Sequence, residues 1–186
     1  MLDTHELSRQ PGSMREFAAV VPAPADLGTA LIGIPAGSNL VVGVRLEAVM
    51  EGVLVTGAAR GTASGECSRC LDPISLEVTV HIQDLFTYPE RLEVARQMGD
   101  ETAQEDDVLV VSEEDGVDIE PLIRDSVVTA LPFRPLCRPD CPGLCSECGA
   151  RLADDPEHHH DIVDPRWSAL QSLLGKPGES DEMKES

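Results

Sequence analysis

The sequence predicts an α+β fold, an antiparallel β meander with a few helices and a cysteine-rich segment towards the C-terminus. Three observations carry that expectation. Residues 40–83 alternate apolar and polar side chains in three successive runs. Two later stretches, 118–132 and 164–175, show helical spacing between helix-starting and helix-ending residues. Four of the six cysteines then fall within residues 137–148, among prolines and glycines that exclude regular structure.

The first 39 residues are rich in Pro, Gly and Ala and carry only weak periodicity. The run VVPAPADLG cannot be a continuous helix or a central strand, because its prolines lack the backbone donor. An N-terminal arm that packs on the body in pieces is expected. In LVVGVRLEAVM, Val42, Val44, Leu46, Ala48 and Met50 alternate with Gly43, Arg45 and Glu47, which is a strand with one wet face. Glu51-Gly52 offers a turn. VLVTGAARGTAS follows with Val53, Val55, Gly57 and Ala59 on one side, and its small residues point to twist or a close backbone approach. After CSRCLDP, the run ISLEVTVHIQDLF sets Ile74, Leu76, Val78, Val80 and Ile82 against polar neighbours. Three strands joined by short turns make a meander, and CSRC sits at its second turn.

Residues 89–107 change character, with one short helix expected before an acidic loop. Residues 100–120 contain no Lys or Arg, and VLVV at 108–111 is a candidate short strand. In DIEPLIRDSVVTALP, Asp118 is the expected cap and Pro121 fits the first turn. Ile119, Leu122, Ile123, Val127, Ala130 and Leu131 form one face, and Pro132 closes the helix. In DPRWSALQSLLG, Asp164 caps, Pro165 opens, Gly175 ends, and Trp167, Leu170 and Leu174 form the apolar stripe. The expected organisation is a body over residues 1–132, a cysteine-rich zinc segment with its helix over 133–175, and a disordered tail over 176–186.

Composition bounds the partners. The formal net charge is -20 and aromatics are only 3% of 186 residues. A chain this acidic repels nucleic acid over most of its surface and favours basic partners. No segment reads as a membrane span or a secretory signal, so a cytoplasmic location is expected, where thiols stay reduced. Clustered cysteines there read as metal-binding or redox groups rather than structural disulfides.

A Cys-x-x-Cys pair on a turn lets two thiolates point at one centre, which suits tetrahedral zinc. Redox chemistry wants the first cysteine at a helix N-terminus, whereas CSRC is flanked by strands and followed by Pro73. In the second group, Cys145, Cys148 and Gly149 form a knuckle turn, and His158, His159 and His160 arrive ten to twelve positions after Cys148. Two groupings fit. One zinc can be held by Cys137, Cys141, Cys145 and Cys148, with CSRC spare and the histidines an exposed loop. Alternatively, Cys67, Cys70, Cys137 and Cys141 hold one ion, and Cys145, Cys148, His158 and His160 hold a second. The second grouping is preferred, because it uses every cysteine, accounts for the histidines and pins the later segment to the meander's turn. Either set is closed, so the zinc is expected to be structural. Ser126 and Ser168 have no paired His, and no phosphate-binding glycine loop is present, so a binding protein is expected rather than an enzyme. Arg60, Arg69, Arg134, Arg138 and Arg151 lie near the cysteines in sequence and are candidates for a local basic patch.

The order ECSRCLDPISLEVTV, DIEPLIRDSVVTALP, LCRPDCPGLCSECGARL and DPRWSALQSLL resembles the YceD family, the large-ribosomal-RNA-subunit accumulation proteins. The resemblance runs from about residue 40 to 174. It implies a cytoplasmic factor for accumulation or processing of large-subunit ribosomal RNA, with no catalytic residues to carry over. Many relatives have Cys-x-Cys where this chain has His158-x-His160, which supports those histidines as substituted ligands. Some relatives keep the earlier Cys-x-x-Cys and lack the Cys145/Cys148 knuckle. The partners implied are a basic ribosomal protein, a precursor large-subunit particle or another assembly factor, with possible contact to ribosomal RNA. A zinc–thiol redox switch is the competing expectation.

Overall fold

Alternation at period two produces the central feature of the computed structural model, which describes residues 1–100, 108–160 and Arg166. The strands are β1 (Leu2–Asp3), β2 (Met14–Pro22), β3 (Leu27–Gly28), β4 (Ile32–Ile34), β5 (Asn39–Ala48), β6 (Gly52–Glu66), β7 (Pro73–Thr87) and β8 (Gly116–Val117). The helices are α1 (Pro89–Gln97) and α2 (Glu120–Ala130). Antiparallel β5, β6 and β7 form the expected meander. β7 pairs along the whole of β6, from Gly52↔Thr87 to Glu66↔Pro73. The opposite edge of β6 is shared: β5 covers it as far as Val41↔Arg60, and β4 takes over at Ser64 and Gly65. That handover brings the β3–β4 hairpin beside the end of β6, where CSRC begins.

The alternating residues share one buried face. Leu46 and Val55 are opposite each other and fully buried, as are their neighbours Val53 and Phe86. Helix α2 lies on β7 and β3, and Ile123 and Val127 complete the layer. Each such side chain contributes roughly 1.5–3 kcal/mol by leaving water. Valine, leucine, isoleucine and alanine therefore build this core, as the scarcity of aromatics requires. Gly57 faces the same layer. A Cβ there would lie 2.3 Å from the Gly43 carbonyl oxygen, the close approach that the small residues of β6 suggest.

Several elements differ from expectation. The N-terminal arm contains β2, a nine-residue strand paired with β5 from Met14↔Glu47 to Pro22↔Asn39. It is an edge strand, so Pro22 forfeits no ladder bond in the sheet interior. VLVV makes only an isolated parallel bridge, Thr87↔Val110. Met50 is 64% exposed, because β5 ends at Ala48 and the chain turns before its side chain can reach the core. Asp118 accepts the Glu120 N–H at 3.2 Å, but the cap position belongs to Ile119. Ala130 is exposed. Apart from Arg166, the expected helix over 164–175, the tail over 176–186 and residues 101–107 of the acidic loop lie outside the described residues.

The chain divides into two compact units, one ending at Pro142 and the other starting at Gly143. In the first, a small second sheet pairs β1 with β8, Leu2↔Val117 and Asp3↔Gly116. Arg9 ties it to α1 by reaching Asp115 at 2.9 Å and Glu90 at 3.0 Å, over the Tyr88 ring. The hydrogen bond between them holds the Asp115 carboxyl below its usual range and the Arg9 guanidinium above.

Candidate metal centres

The turn between β6 and β7 is a knuckle. The Cys67 N–H donates to the Asp72 carbonyl at 2.8 Å, and the Leu71 N–H donates to the Cys67 carbonyl at 2.9 Å. Leu71 takes φ 62° to close it. Both cysteines are buried. The segment after α2 returns to this turn. The Ser68 N–H and hydroxyl both donate to the Pro135 carbonyl, at 2.8 and 3.0 Å, and Arg69 Nη1 donates to the Cys141 carbonyl at 2.7 Å. These bonds set Cys137 and Cys141 against the knuckle. Cys67 Sγ lies 3.8 Å from Cys141 Sγ, Cys70 Sγ lies 3.6 Å from Cys137 Sγ, and all four sulfurs fall within 4.8 Å of one another.

Those distances discriminate between chemistries. A disulfide needs about 2.05 Å, and all six cysteines are free thiols. Four sulfurs placed ~2.3 Å from a common tetrahedral centre are separated by ~3.8 Å. The quartet therefore has the spacing of a four-thiolate metal cage. Its proton chemistry agrees. Cys67 is pulled down to about 6, first by the Cys70 N–H and then by those of Arg69 and Cys137, against the effect of burial. The Asp72 N–H favours the Cys70 thiolate, but burial and the three neighbouring thiols push Cys70 up. Cys137 also rises: the Cys70 thiol favours its thiolate, but burial and the other two thiols outweigh it. Such a cage accepts one negative charge readily and more only with a cation at its centre.

The second unit repeats the knuckle. The Cys145 N–H donates to the Ala150 carbonyl at 2.8 Å, and the Gly149 N–H donates to the Cys145 carbonyl at 2.9 Å. Gly149 takes φ 70°, in the place that Leu71 fills in the first. The Cys148 and Glu147 N–H groups lower the Cys145 thiol. An isolated bridge, Leu144↔Arg151, braces the turn. Two histidines complete the group. Nε2 of His158 and Nε2 of His160 each lie 3.2 Å from Cys148 Sγ and 2.9 Å from each other. The four donor atoms are again within 4.8 Å, so the set can hold a metal ion. His158 Nδ1 faces Asp155 at 3.9 Å, the kind of outer carboxylate that orients a ligand imidazole. His159 instead meets the Glu157 carbonyl at 2.9 Å and stays outside the group.

The donor atoms thus fall into the second of the two groupings expected from the sequence. The spacing did not reveal the outer partners Asp72, Pro135 and Asp155. Asp72 follows the Cys-x-x-Cys pair closely, and Asp155 stands three residues before His158, which are the only local signals for either. Of the five candidate arginines, Arg69 is at the first group, Arg138 pairs with Asp140 at 3.5 Å, and Arg60 donates to Thr79 on β7.

A family model described as the large ribosomal RNA subunit accumulation protein YceD matches residues 55–174, a span that contains all eight of these ligand candidates. An uncharacterized protein of Mycobacterium tuberculosis is 45% identical over 183 residues, covering 98% of this chain and 84% of that protein. One from Mycobacterium leprae is 36% identical over 174 residues, covering 94% and 77%. YlbN, an uncharacterized protein of Bacillus subtilis, is 27% identical over 130 residues, covering 64% and 67%. No solved structure matches the chain. With the family model covering most of the sequence and a relative at this identity spanning nearly all of it, the chain belongs to the YceD family, the large ribosomal RNA subunit accumulation proteins.

Proposed function

We propose that the protein is a non-catalytic, cytoplasmic accessory factor of large-subunit biogenesis, supporting accumulation and processing of large-subunit ribosomal RNA. In this reading two zinc ions are structural. One is held by Cys67, Cys70, Cys137 and Cys141, the other by Cys145, Cys148, His158 and His160. The observation that carries it is the closure of both donor sets within a family described by its effect on that RNA. Four protein donors leave no open position for substrate, and S4 and S2N2 sets favour zinc over hard cations. The surplus of 34 acidic over 14 basic residues suits a basic ribosomal protein or assembly factor as the main partner. No helix among the described residues is long and apolar enough to cross a membrane.

Depletion in cells tests the reading. The expected result is a fall in large-subunit ribosomal RNA relative to small-subunit RNA, with the protein co-sedimenting with precursor particles. An unchanged ratio would overturn it. A second reading, a zinc–thiol switch, draws support from the exposure of Cys148 beside half-exposed Cys145. It expects mild peroxide to release one zinc per chain, and retention of both ions would remove it.

A further inference from the structure

The chain contains three phenylalanines. Phe86 is buried and Phe17 packs against the core, whereas Phe133 is 89% exposed. Phe133 follows the closing Pro132 of α2 and stands at a groove of about 570 Å³, within the ~300–1,000 Å³ typical of ligand sites. Leu31 of the β3–β4 turn, Ser68 and Arg69 of the first knuckle, and Arg134 and Leu136 after α2 form the rest of its main lining. None of the eight lining residues is acidic, on a chain of net charge -20. The Arg134 side chain makes no hydrogen bond or ion pair among the described residues. Arg69 gives one N–H to the Cys141 carbonyl and makes no ion pair among them. An exposed aromatic side chain therefore shares one groove with two guanidinium groups that make no ion pair among the described residues, on a chain of net negative charge.

We propose that this groove binds a short single-stranded segment of RNA, one base stacking on Phe133 and the adjoining phosphates meeting Arg69 and Arg134. The inference rests on the ribosome-biogenesis reading and names a partner for it. Three features favour RNA over an acidic peptide. A planar ring left almost wholly in solvent offers a π-face that every base can use. Guanidinium groups both stack on bases and chelate phosphate. The acidic remainder of the surface repels a long polyanion, which confines contact to a few nucleotides. The first cysteine quartet acts here as a clamp. The Ser68–Pro135 and Arg69–Cys141 bonds join the first knuckle to the segment after α2, and Leu136 of the groove's lining packs against Cys67, Cys70 and Cys141.

The test uses the zinc-loaded full chain and a fluorescent, mixed-sequence single-stranded RNA of about 12 nucleotides, titrated over a range of salt. With two phosphates engaged, log K should fall against log salt with a slope of about -1.4. Phe133→Ala should weaken binding about fivefold or more, the lower end for a base–aromatic stack. Arg134→Ala should lower the slope by about 0.7. Both side chains are exposed, and unchanged zinc content and melting temperature serve as controls. A duplex of the same sequence should bind more weakly, because its bases are already stacked. The proposal is overturned if both variants bind like the parent, if the duplex binds as well, or if poly-glutamate binds as tightly and competes, which would make the groove a peptide site. Restoring depleted cells with Phe133→Ala separates the two ideas. No effect of depletion itself defeats the biogenesis reading. A depletion defect that this variant repairs as fully as the parent defeats the groove.

Discussion

The two knuckles share a template, Cys-Ser-x-Cys, and the same two backbone hydrogen bonds, yet they recruit their remaining ligand candidates in opposite ways. Cys67 and Cys70 take thiols 74 and 67 residues away at a sheet end, where Cys67, Cys70 and Cys141 are buried and Cys137 is exposed. Cys145 and Cys148 take two imidazoles from the same short stretch of chain and stay largely in solvent. The turn supplies half a site, and the partner segment decides what the site is for. In the first group an ion would be a cross-link within the sheet unit. In the second it would join a knuckle to two histidines of the same short segment.

Removing one ligand from each group should break the symmetry most plainly. Cys67→Ser takes a fully buried thiolate from the cross-link, so the sheet unit should lose more than about 4 kcal/mol, the range of metal-site loss. Zinc content and thermal unfolding measure this, and a melting point near the parent's would show that the sheet does not depend on the quartet. The His158→Ala, His160→Ala double variant should lower zinc from two ions per chain to one. It should leave unfolding of the sheet unit within about 0.5 kcal/mol of the parent, as for surface changes. Zinc unchanged in that variant would take the histidines out of the site.

A finer contrast lies in the residue after each second cysteine. Leu71 and Gly149 both have positive φ, and a side chain in that region costs about 1–2 kcal/mol. Gly149→Leu should weaken zinc retention in the second unit by that amount, read in a chelator competition. Leu71→Gly should stabilise the first knuckle by about 1 kcal/mol at most, because the freer glycine also stabilises the unfolded chain.

The smallest expected effect is on pH dependence. In the metal-free, reduced protein, Cys67 titrates near 6, below the ordinary thiol value of about 8.5. Its contribution is full above that ordinary value and is lost as pH falls through 6. Cys70 and Cys137 are raised, so theirs is full below the ordinary value and is lost as pH rises beyond it. Metal-free melting temperature should therefore peak near about pH 8 and fall on both sides. With zinc bound all four sulfurs are thiolates, and the alkaline fall should vanish. A metal-free profile that rises steadily through alkaline pH would contradict the opposed shifts.

The meander could be read from sequence because β5, β6 and β7 each bury one face, and burial is what imprints alternation. β2 escaped the same reading because an edge strand left mostly in solvent on both faces has no such imprint. Met50 continued the pattern numerically but not physically, since the strand had already ended. For the cysteines, spacing gave the two knuckles. Economy of ligands favoured pairing CSRC with Cys137 and Cys141 over leaving CSRC spare, but the Ser68–Pro135 and Arg69–Cys141 bonds that bring those segments together are contacts between distant residues and carry no local signal. Phe133 carried no periodic signal, because an exposed residue beyond a helix end belongs to no apolar face.

The long span of the first group also fixes a schedule for the nascent chain. At roughly 5–20 residues per second, the 74 residues between Cys67 and Cys141 take about 4–15 s to synthesise. Throughout that interval the first knuckle has its turn but not its outer thiols, whereas the second meets its histidines within about a second or two of its own appearance. The quartet thus closes only after α2 has been made, so its completion marks a chain whose sheet unit has been synthesised to its end.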